Sequence, residues 1–239
     1  MAVHIGTSGY NYPEWRGTFY PEKFPTGKML PYYAERFGTV EINYTFYRMP
    51  SAKTIAGWDA ETPPAFAFAL KAPQRITHFT RLRDVDEPVR YFCDTARTLG
   101  PKLGPILFQL PPNFAKDLSR LGDLLVQLPP GLHCAFEFRH PSWLDEEVYA
   151  RLRAANAALC LADSEQLHTP LVPTADWGYL RLRDEGYTPA DLASWADTVR
   201  RLGAGWRETW IYFKHEESGT GPAFARALRE QLGEACTSP

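Results

Sequence analysis

Several signals that would place a protein early are missing from this chain. None of its four cysteines, Cys93, Cys134, Cys160 and Cys236, stands in a C-x-x-C pair. That excludes a dithiol redox motif and a cysteine metal knuckle, and the chain reads as a reduced protein. No run approaches the ~20 apolar residues that a membrane span needs. The N-terminus, Met1-Ala-Val-His-Ile-Gly6, has no basic segment followed by an apolar core. The expected location is therefore cytoplasmic, with no membrane partner. Net charge is only -2, so no global basic field recruits nucleic acid. H-E-x-x-H, a Gly-rich phosphate loop and a G-x-S-x-G elbow are all absent. So are long linkers and low-complexity tracts. The 239 residues are organised as one domain.

What the chain does have is aromatic content, 14% with seven tryptophans, and a series of strands that end in charge. The clearest is Ala135-Phe-Glu-Phe-Arg-His-Pro-Ser-Trp143. Side chains alternate along a strand, so Phe136 and Phe138 share one face while Ala135, Glu137 and Arg139 share the other. Pro141 then stops the ladder. A carboxylate beside a guanidinium on an inner face is costly unless partners or a ligand satisfy both.

Other segments repeat the pattern. The spacing predicts strands over Val3–Ser8, Thr39–Tyr47, Phe66–Lys71, Ile106–Pro112, Leu159–Ser164, Tyr179–Arg183 and Trp210–His215. Helical periodicity falls between them, over Lys28–Phe37, Ala52–Ala60, Glu87–Leu99, Lys116–Leu128, Asp145–Ala155, Ala190–Leu202 and Pro222–Leu232. Eight strands alternating with helices in this length predict a single (β/α)8 TIM barrel, with an open doubly wound sheet as the competing architecture. Each strand has one apolar face and one small or polar face, which suits a barrel better than a sheet covered on both sides.

In a barrel, the apolar faces meet the helices and the others line the lumen. The expected lumen set is Glu41, Asn43, Lys71, Gln109, Glu137, Arg139, Asp163, Arg181 and Arg183. On the eighth strand, parity is open between Phe213 with His215 and Tyr212 with Lys214. All of these lie toward strand C-terminal ends, where barrel enzymes place their chemistry. The arginines and Lys71 suit phosphate or carboxylate. Glu41, Glu137 and Asp163 suit acid–base work or a divalent metal. His78, His140 and His215 follow strand ends and are candidate proton carriers. The loop from Tyr10 to Tyr20, with Trp15, reads either as a binding loop or as a plug for one barrel end.

These residues carry a resemblance. Gly6-Thr-Ser-Gly-Tyr10 with Trp15 and Phe19-Tyr-Pro21, and Val40-Glu-Ile-Asn43 with Thr45-Phe-Tyr47, are similar to the domain of unknown function 72 family, also called YecE-like. So are Lys71, Thr77-His78, Gln109-Leu-Pro-Pro112, Glu137-Phe-Arg-His140 with Trp143, and Ala162-Asp-Ser164. The resemblance covers nearly the whole chain. It implies a TIM barrel and no established activity. The chain departs from the family toward its end. Arg181-Leu-Arg-Asp-Glu-Gly186 stands where the family tends to have Arg-x-His-Gly, and Phe213-Lys-His215 where it tends to have Phe-Asn-Asn. Pro222-Ala-Phe-Ala225 lacks the asparagine usual in the closing segment. Contacts carried by the last two strands are therefore not expected to transfer.

The expected function is an enzyme acting on a phosphorylated or sugar-like anion at the barrel mouth, either a hydrolase of phosphodiesterase type or a sugar isomerase-like enzyme, with hydrolysis favoured. Glu137, His78, His140 and Asp163 are the candidate catalytic groups. Tyr10, Trp15, Glu41, Asn43, Lys71, Gln109, Arg139, Arg181 and Arg183 are the candidate binding groups. A divalent metal enters only by analogy with other barrels. The alternative is a non-catalytic binder of nucleic acid or nucleotide, using the aromatic loop and the arginines. A third reading is a scaffold whose polar lumen satisfies itself.

Overall fold

A computed structural model describes residues 1–163, 167–184, 186–216 and 219–233. The predicted strand residue Ser164, Glu185 of the seventh-strand run, and Cys236 lie outside the described residues. Eight parallel strands run β1 Ala2–Thr7, β2 Thr39–Ile42, β3 Ala67–Lys71, β4 Leu103–Gln109, β5 Cys134–Glu137, β6 Ala158–Asp163, β7 Gly178–Leu182 and β8 Glu208–Phe213. They are ordered β1-β8-β7-β6-β5-β4-β3-β2. An isolated parallel bridge, Ser8 to Glu41, joins the two ends, and Gly9 N donates to Glu41 O at 2.8 Å. The sheet is thereby a nearly closed ring, the predicted TIM barrel. Closure depends on Gly6: a Cβ there would collide with the carbonyl oxygen of Thr39.

The outer layer comprises α1 Met29–Ala34, α2 Tyr44–Tyr47, α3 Ala52–Ala60, α4 Asp86–Arg97, α5 Leu118–Gln127, α6 Glu146–Ala154, α7 Pro189–Gly203 and α8 Thr220–Leu232. Their starts are set locally. Ser51, Asp117 and Asp145 each cap a helix through a side-chain oxygen, and Thr188 forms a capping box with Asp191. No helix is described between β6 and β7. Among the described residues, none is long and apolar enough to cross a membrane.

Alternation along the strands divides the interior in two. The larger cluster, between ring and helices, takes Val40, Ile42, Phe68, Leu70, Ile106, Phe108, Phe136, Leu180, Leu182, Ile211 and Phe213. The smaller fills the lumen with Ala69, Leu107, Ala135, Ala158, Cys160, Ala162, Trp177, Tyr179, Trp210 and Tyr212. The eighth strand's inner set is thus Tyr212 with Lys214. Cys93, Cys134 and Cys160 are buried free thiols.

Two sequence expectations are corrected here. The second strand ends at Ile42 rather than Tyr47. Asn43 takes a right-handed helical conformation, and Thr45 Oγ1 donates to Lys71 O at 2.6 Å. That bond turns the chain into α2 and carries Phe46 and Tyr47 across the barrel mouth. Asp163 is also not in the lumen. On β6 the inner residues are Cys160 and Ala162, so Asp163 shares the outer face with Leu161. It accepts a hydrogen bond from Tyr187 OH at 2.7 Å and pairs with His168 at 3.1 Å.

Candidate functional site

The lumen narrows onto one fully buried cation. Arg181, on β7, sends Nη1 to Glu137 Oε2 at 2.5 Å and Nη2 to Glu41 Oε1 at 2.8 Å. All three side chains are essentially sealed from solvent. Such a triad is tolerated only when the remaining lone pairs find donors. They do. Tyr179 OH donates to Glu41 Oε2 at 2.7 Å, and Ser8 Oγ donates to Oε1 of the same carboxylate. Asn43 Nδ2 donates to Ser8 Oγ at 2.8 Å. On the other side, Gln109 Nε2 and Arg139 Nε each reach Glu137 Oε1 at 2.9 Å, and Arg183 Nη1 stands 3.9 Å from it.

Burial by itself would raise both carboxyls. For Glu41 it is overturned by Arg181, with help from Ser8 and Tyr179, and the group sits below the usual carboxylate range. For Glu137 it is overturned by Arg181 and Arg139, and the group sits well below that range. Both are therefore ionised and committed to their donors. Each holds the Arg181 guanidinium, and Glu137 holds Arg139 as well.

Above this layer opens a cavity of about 550 Å³. Its walls include Tyr12, Asn43, Lys71, His78, Gln109, Arg139, Arg181, Arg183 and Lys214. Lys214 is paired with Glu216 at 3.2 Å. Arg181 and Arg139 are balanced by Glu41 and Glu137. Arg183, 3.9 Å from an already matched Glu137, and a partly protonated Lys71 remain as surplus positive charge. Lys71 ends β3 and is 8% exposed. Its ammonium lies 4.0 Å from the centre of the Phe46 ring, and no described carboxylate comes within 4.0 Å of it. Burial, then the charge of Arg181, pull its pKa down to about 7, only partly offset by Glu137 and Glu41. His78 sits in a single π-turn, Arg75–Phe79, with Nδ1 2.8 Å from Thr77 Oγ1 and its ring edge-on to Phe46. Burial, Lys71 and Arg139 lower its pKa to about 4, so it is neutral at pH 7.

Of the expected site residues, the structure thus brings together Glu41, Asn43, Lys71, His78, Gln109, Glu137, Arg139, Arg181 and Arg183. Five stand elsewhere. Asp163 faces outward, as described. His140 accepts a hydrogen bond from Ser142 N at 3.2 Å and caps the short turn Pro141–Trp143. Trp15 is fully buried against Tyr12, Phe19 and Tyr20, so its indole is part of the packed core rather than of the cavity wall. Tyr10 lines a neighbouring cleft with Tyr44 and Trp58. His215 packs edge-on to Tyr187 and Phe224, outside the lumen.

Sequence reasoning did not find Ser8, Tyr179 or the aromatic rim. Tyr47 and Phe79 are each 72% exposed, and both border the cavity. Exposed aromatics within the Thr45-Phe-Tyr47 and Thr77-His78-Phe79 runs were the available signal. Among the described residues, no group of three or more His, Cys, Asp or Glu side chains is arranged to hold a metal ion. The two lumen carboxylates face cations instead, so no step is assigned to a metal.

Comparison with known proteins agrees with this architecture. A family model described as "Protein of unknown function DUF72" matches residues 4–239. The chain is 30% identical to the UPF0759 protein YecE of Escherichia coli K12 over 172 residues, covering 70% of this chain and 61% of that protein. It is 30% identical over 199 residues to the UPF0759 protein YunF of Bacillus subtilis 168, covering 78% and 68%. The chain thus spans about three-fifths of its E. coli relative. Among solved structures, a DUF72 family protein of Thermotoga maritima superposes with a TM-score of 0.85 at 26% identity, covering 97% of this chain and 99% of that one. One from Enterococcus faecalis gives 0.82 at 16% identity, covering 96% and 95%, a likeness of fold alone.

Proposed function

Because the chain belongs to the DUF72 family, whose description carries no reaction, we propose a function from its own residues: an enzyme that holds a small anionic substrate at the C-terminal mouth of the barrel. The observation that supports it most is the charge left over after internal pairing. Two carboxylates balance Arg181 and Arg139, while Arg183, which shares Glu137 at 3.9 Å, and Lys71, with no described carboxylate within 4.0 Å, face a cavity of about 550 Å³. That volume is in the range of small-molecule sites, and its polar groups converge from several strands. Bidentate guanidinium geometry and a nearby ammonium match phosphate or carboxylate.

The groups able to move a proton there near pH 7 are His78 and Lys71. His78 is neutral and its Nδ1 is fixed by Thr77, which leaves Nε2 for exchange. Lys71 titrates at about 7. Glu137 positions the arginines. Hydrolysis of a phosphate or glycosidic ester is one reaction these groups could support, with His78 activating water.

A second reading draws on the rim. Tyr47 and Phe79 present exposed rings beside the cationic cavity, an arrangement that stacks bases while cations hold phosphate. A panel of phosphorylated sugars, sugar acids and short single-stranded oligonucleotides, read by mass spectrometry for turnover and by calorimetry for binding, separates the two. The enzyme reading expects turnover of a small anion, abolished in His78→Asn. Tight oligonucleotide binding with no small anion bound or converted would overturn it in favour of the second.

A further inference from the structure

Most lysines of this chain are ordinary surface or salt-bridged cations. Lys102 is buried too, but its Nζ is saturated by Asp59 O, Thr62 O and Thr62 Oγ1 and paired with the Asp59 carboxylate at 2.9 Å. Lys116 is held by Asp145 and Glu147, and Lys214 by Glu216. Lys71 is different. It ends a barrel strand, lies 8% exposed in the wall of the cavity and, among the described residues, has a ring face rather than an acceptor against its nitrogen. An amine placed so, beside groups that bind anions, is a nucleophile waiting for an electrophile rather than an anchor.

The geometry points to Lys71 as the covalent attachment point for a small aldehyde or ketone that carries a phosphate or carboxylate, captured as an iminium. This rests on the anion-binding reading above and narrows its substrate class. The charged groups around Lys71 are Arg181, Glu137, Glu41 and Arg139, with the neutral imidazole of His78 beside them. Burial and Arg181 leave about half of the amine neutral near pH 7, roughly a thousandfold more than for an ordinary lysine. Desolvation of this kind is how lysine nucleophiles are activated.

The chemistry balances without any redox partner. The Nζ lone pair of the neutral amine attacks the carbonyl carbon and forms the C–N bond. The carbonyl π electrons move to oxygen, which receives a proton as nitrogen loses one, giving a carbinolamine. A second proton, taken from water, lets that hydroxyl leave as water, and the hydroxide so formed recovers the proton lost from nitrogen as the ammonium became the neutral amine. The nitrogen lone pair then closes the C=N bond and carries the positive charge. Arg183 and Arg139 hold the substrate anion while this proceeds.

The test is reductive trapping on the intact chain. Wild type is incubated near neutral pH with glyoxylate in one arm and dihydroxyacetone phosphate in the other, reduced with borohydride, and mapped by peptide mass spectrometry. Inorganic phosphate binding is measured in parallel by calorimetry. The expected result is one adduct per chain at Lys71, formed at least tenfold faster than at exposed Lys53, with half-maximal rate near pH 7, suppressed by phosphate and lost in Lys71→Met. The favoured arm distinguishes a carboxylate from a phosphate substrate. In Arg139→Ala, which loses one of the anion-holding groups, labelling of Lys71 slows and phosphate no longer suppresses what remains. If phosphate binds and Lys71 labels no faster than Lys53 in either arm, the imine proposal is overturned and the anion site stands. If phosphate does not bind and Lys71 does not label, both are overturned.

Discussion

Lys71 should make the protein less stable than it could be, and by an amount that changes with pH in a defined direction. Its ordinary pKa of 10.5 falls to about 7 in the folded chain. At about 1.36 kcal/mol per pH unit, that gap opposes folding by about 5 kcal/mol at low pH. The Phe46 ring, 4.0 Å from the ammonium, contributes about 1–2 kcal/mol in the opposite sense for a desolvated cation. Lys71→Met keeps the length of the stem and removes the charge. It should therefore raise unfolding free energy by about 2–4 kcal/mol at and below pH 7. The sign follows from proton counts. Between about pH 7 and 10.5 the unfolded chain holds the Lys71 proton and the folded chain does not, so wild-type stability climbs with pH through that window. The variant lacks this climb, and the two chains should converge toward its upper end. Tyrosine ionisation is common to both and cancels in the difference. Urea unfolding followed by tryptophan fluorescence over that range measures it. A variant less stable than wild type, or a difference that does not vary with pH, would refute the reasoning.

Three further predictions follow from the same coordinates. Arg181→Met should destabilise by about 3–5 kcal/mol or prevent folding, because Glu41 and Glu137 would keep buried charge without a cation; adding Glu137→Gln and Glu41→Gln should recover much of the loss in chemical denaturation. Glu208 lies between His133 at 2.8 Å and His4 at 3.5 Å, and those hydrogen bonds hold its carboxyl well below the usual range; its contribution is present above the unfolded value and lost as pH falls below it, so Glu208→Gln should flatten the acid limb of thermal unfolding. Gly6→Ala should cost about 1–3 kcal/mol, at the upper end because the colliding atom is the Thr39 backbone carbonyl oxygen, read as a lower Tm.

Much of the barrel and of its polar layer was legible in the sequence, for a physical reason. Where a strand pairs large apolar residues with small or polar ones, period-two alternation declares which side faces in. Phe136 and Phe138 against Glu137 and Arg139 left no ambiguity, and Leu180 and Leu182 against Arg181 and Arg183 left none either. On β6 the signal fails. Leu159, Cys160, Leu161 and Ala162 are all compatible with either face, and all are buried, so the charge of Asp163 suggests an inner position while its side chain lies on the outer face. The eighth strand was ambiguous because Tyr212 and Phe213 fit lumen and helix layer equally well. Loop residues were the hardest. Trp15 proved to be packing, Tyr47 reaches the rim where the chain turns into α2 at the bond from Thr45 to Lys71 O, and Phe79 reaches it from the turn Arg75–Phe79. No local pattern encodes that contact. The family resemblance secured the fold but carried no reaction, so the site had to be built from geometry.

The most direct test of the central claim, that the barrel mouth keeps positive charge in order to hold an anion, is a calorimetric titration of the full chain with inorganic phosphate at low salt. Saturable binding at one site, abolished in the Arg139→Ala, Arg183→Ala double variant and weakened by added chloride, is the predicted result. No saturable heat in wild type, or binding that the double variant retains unchanged, would contradict it.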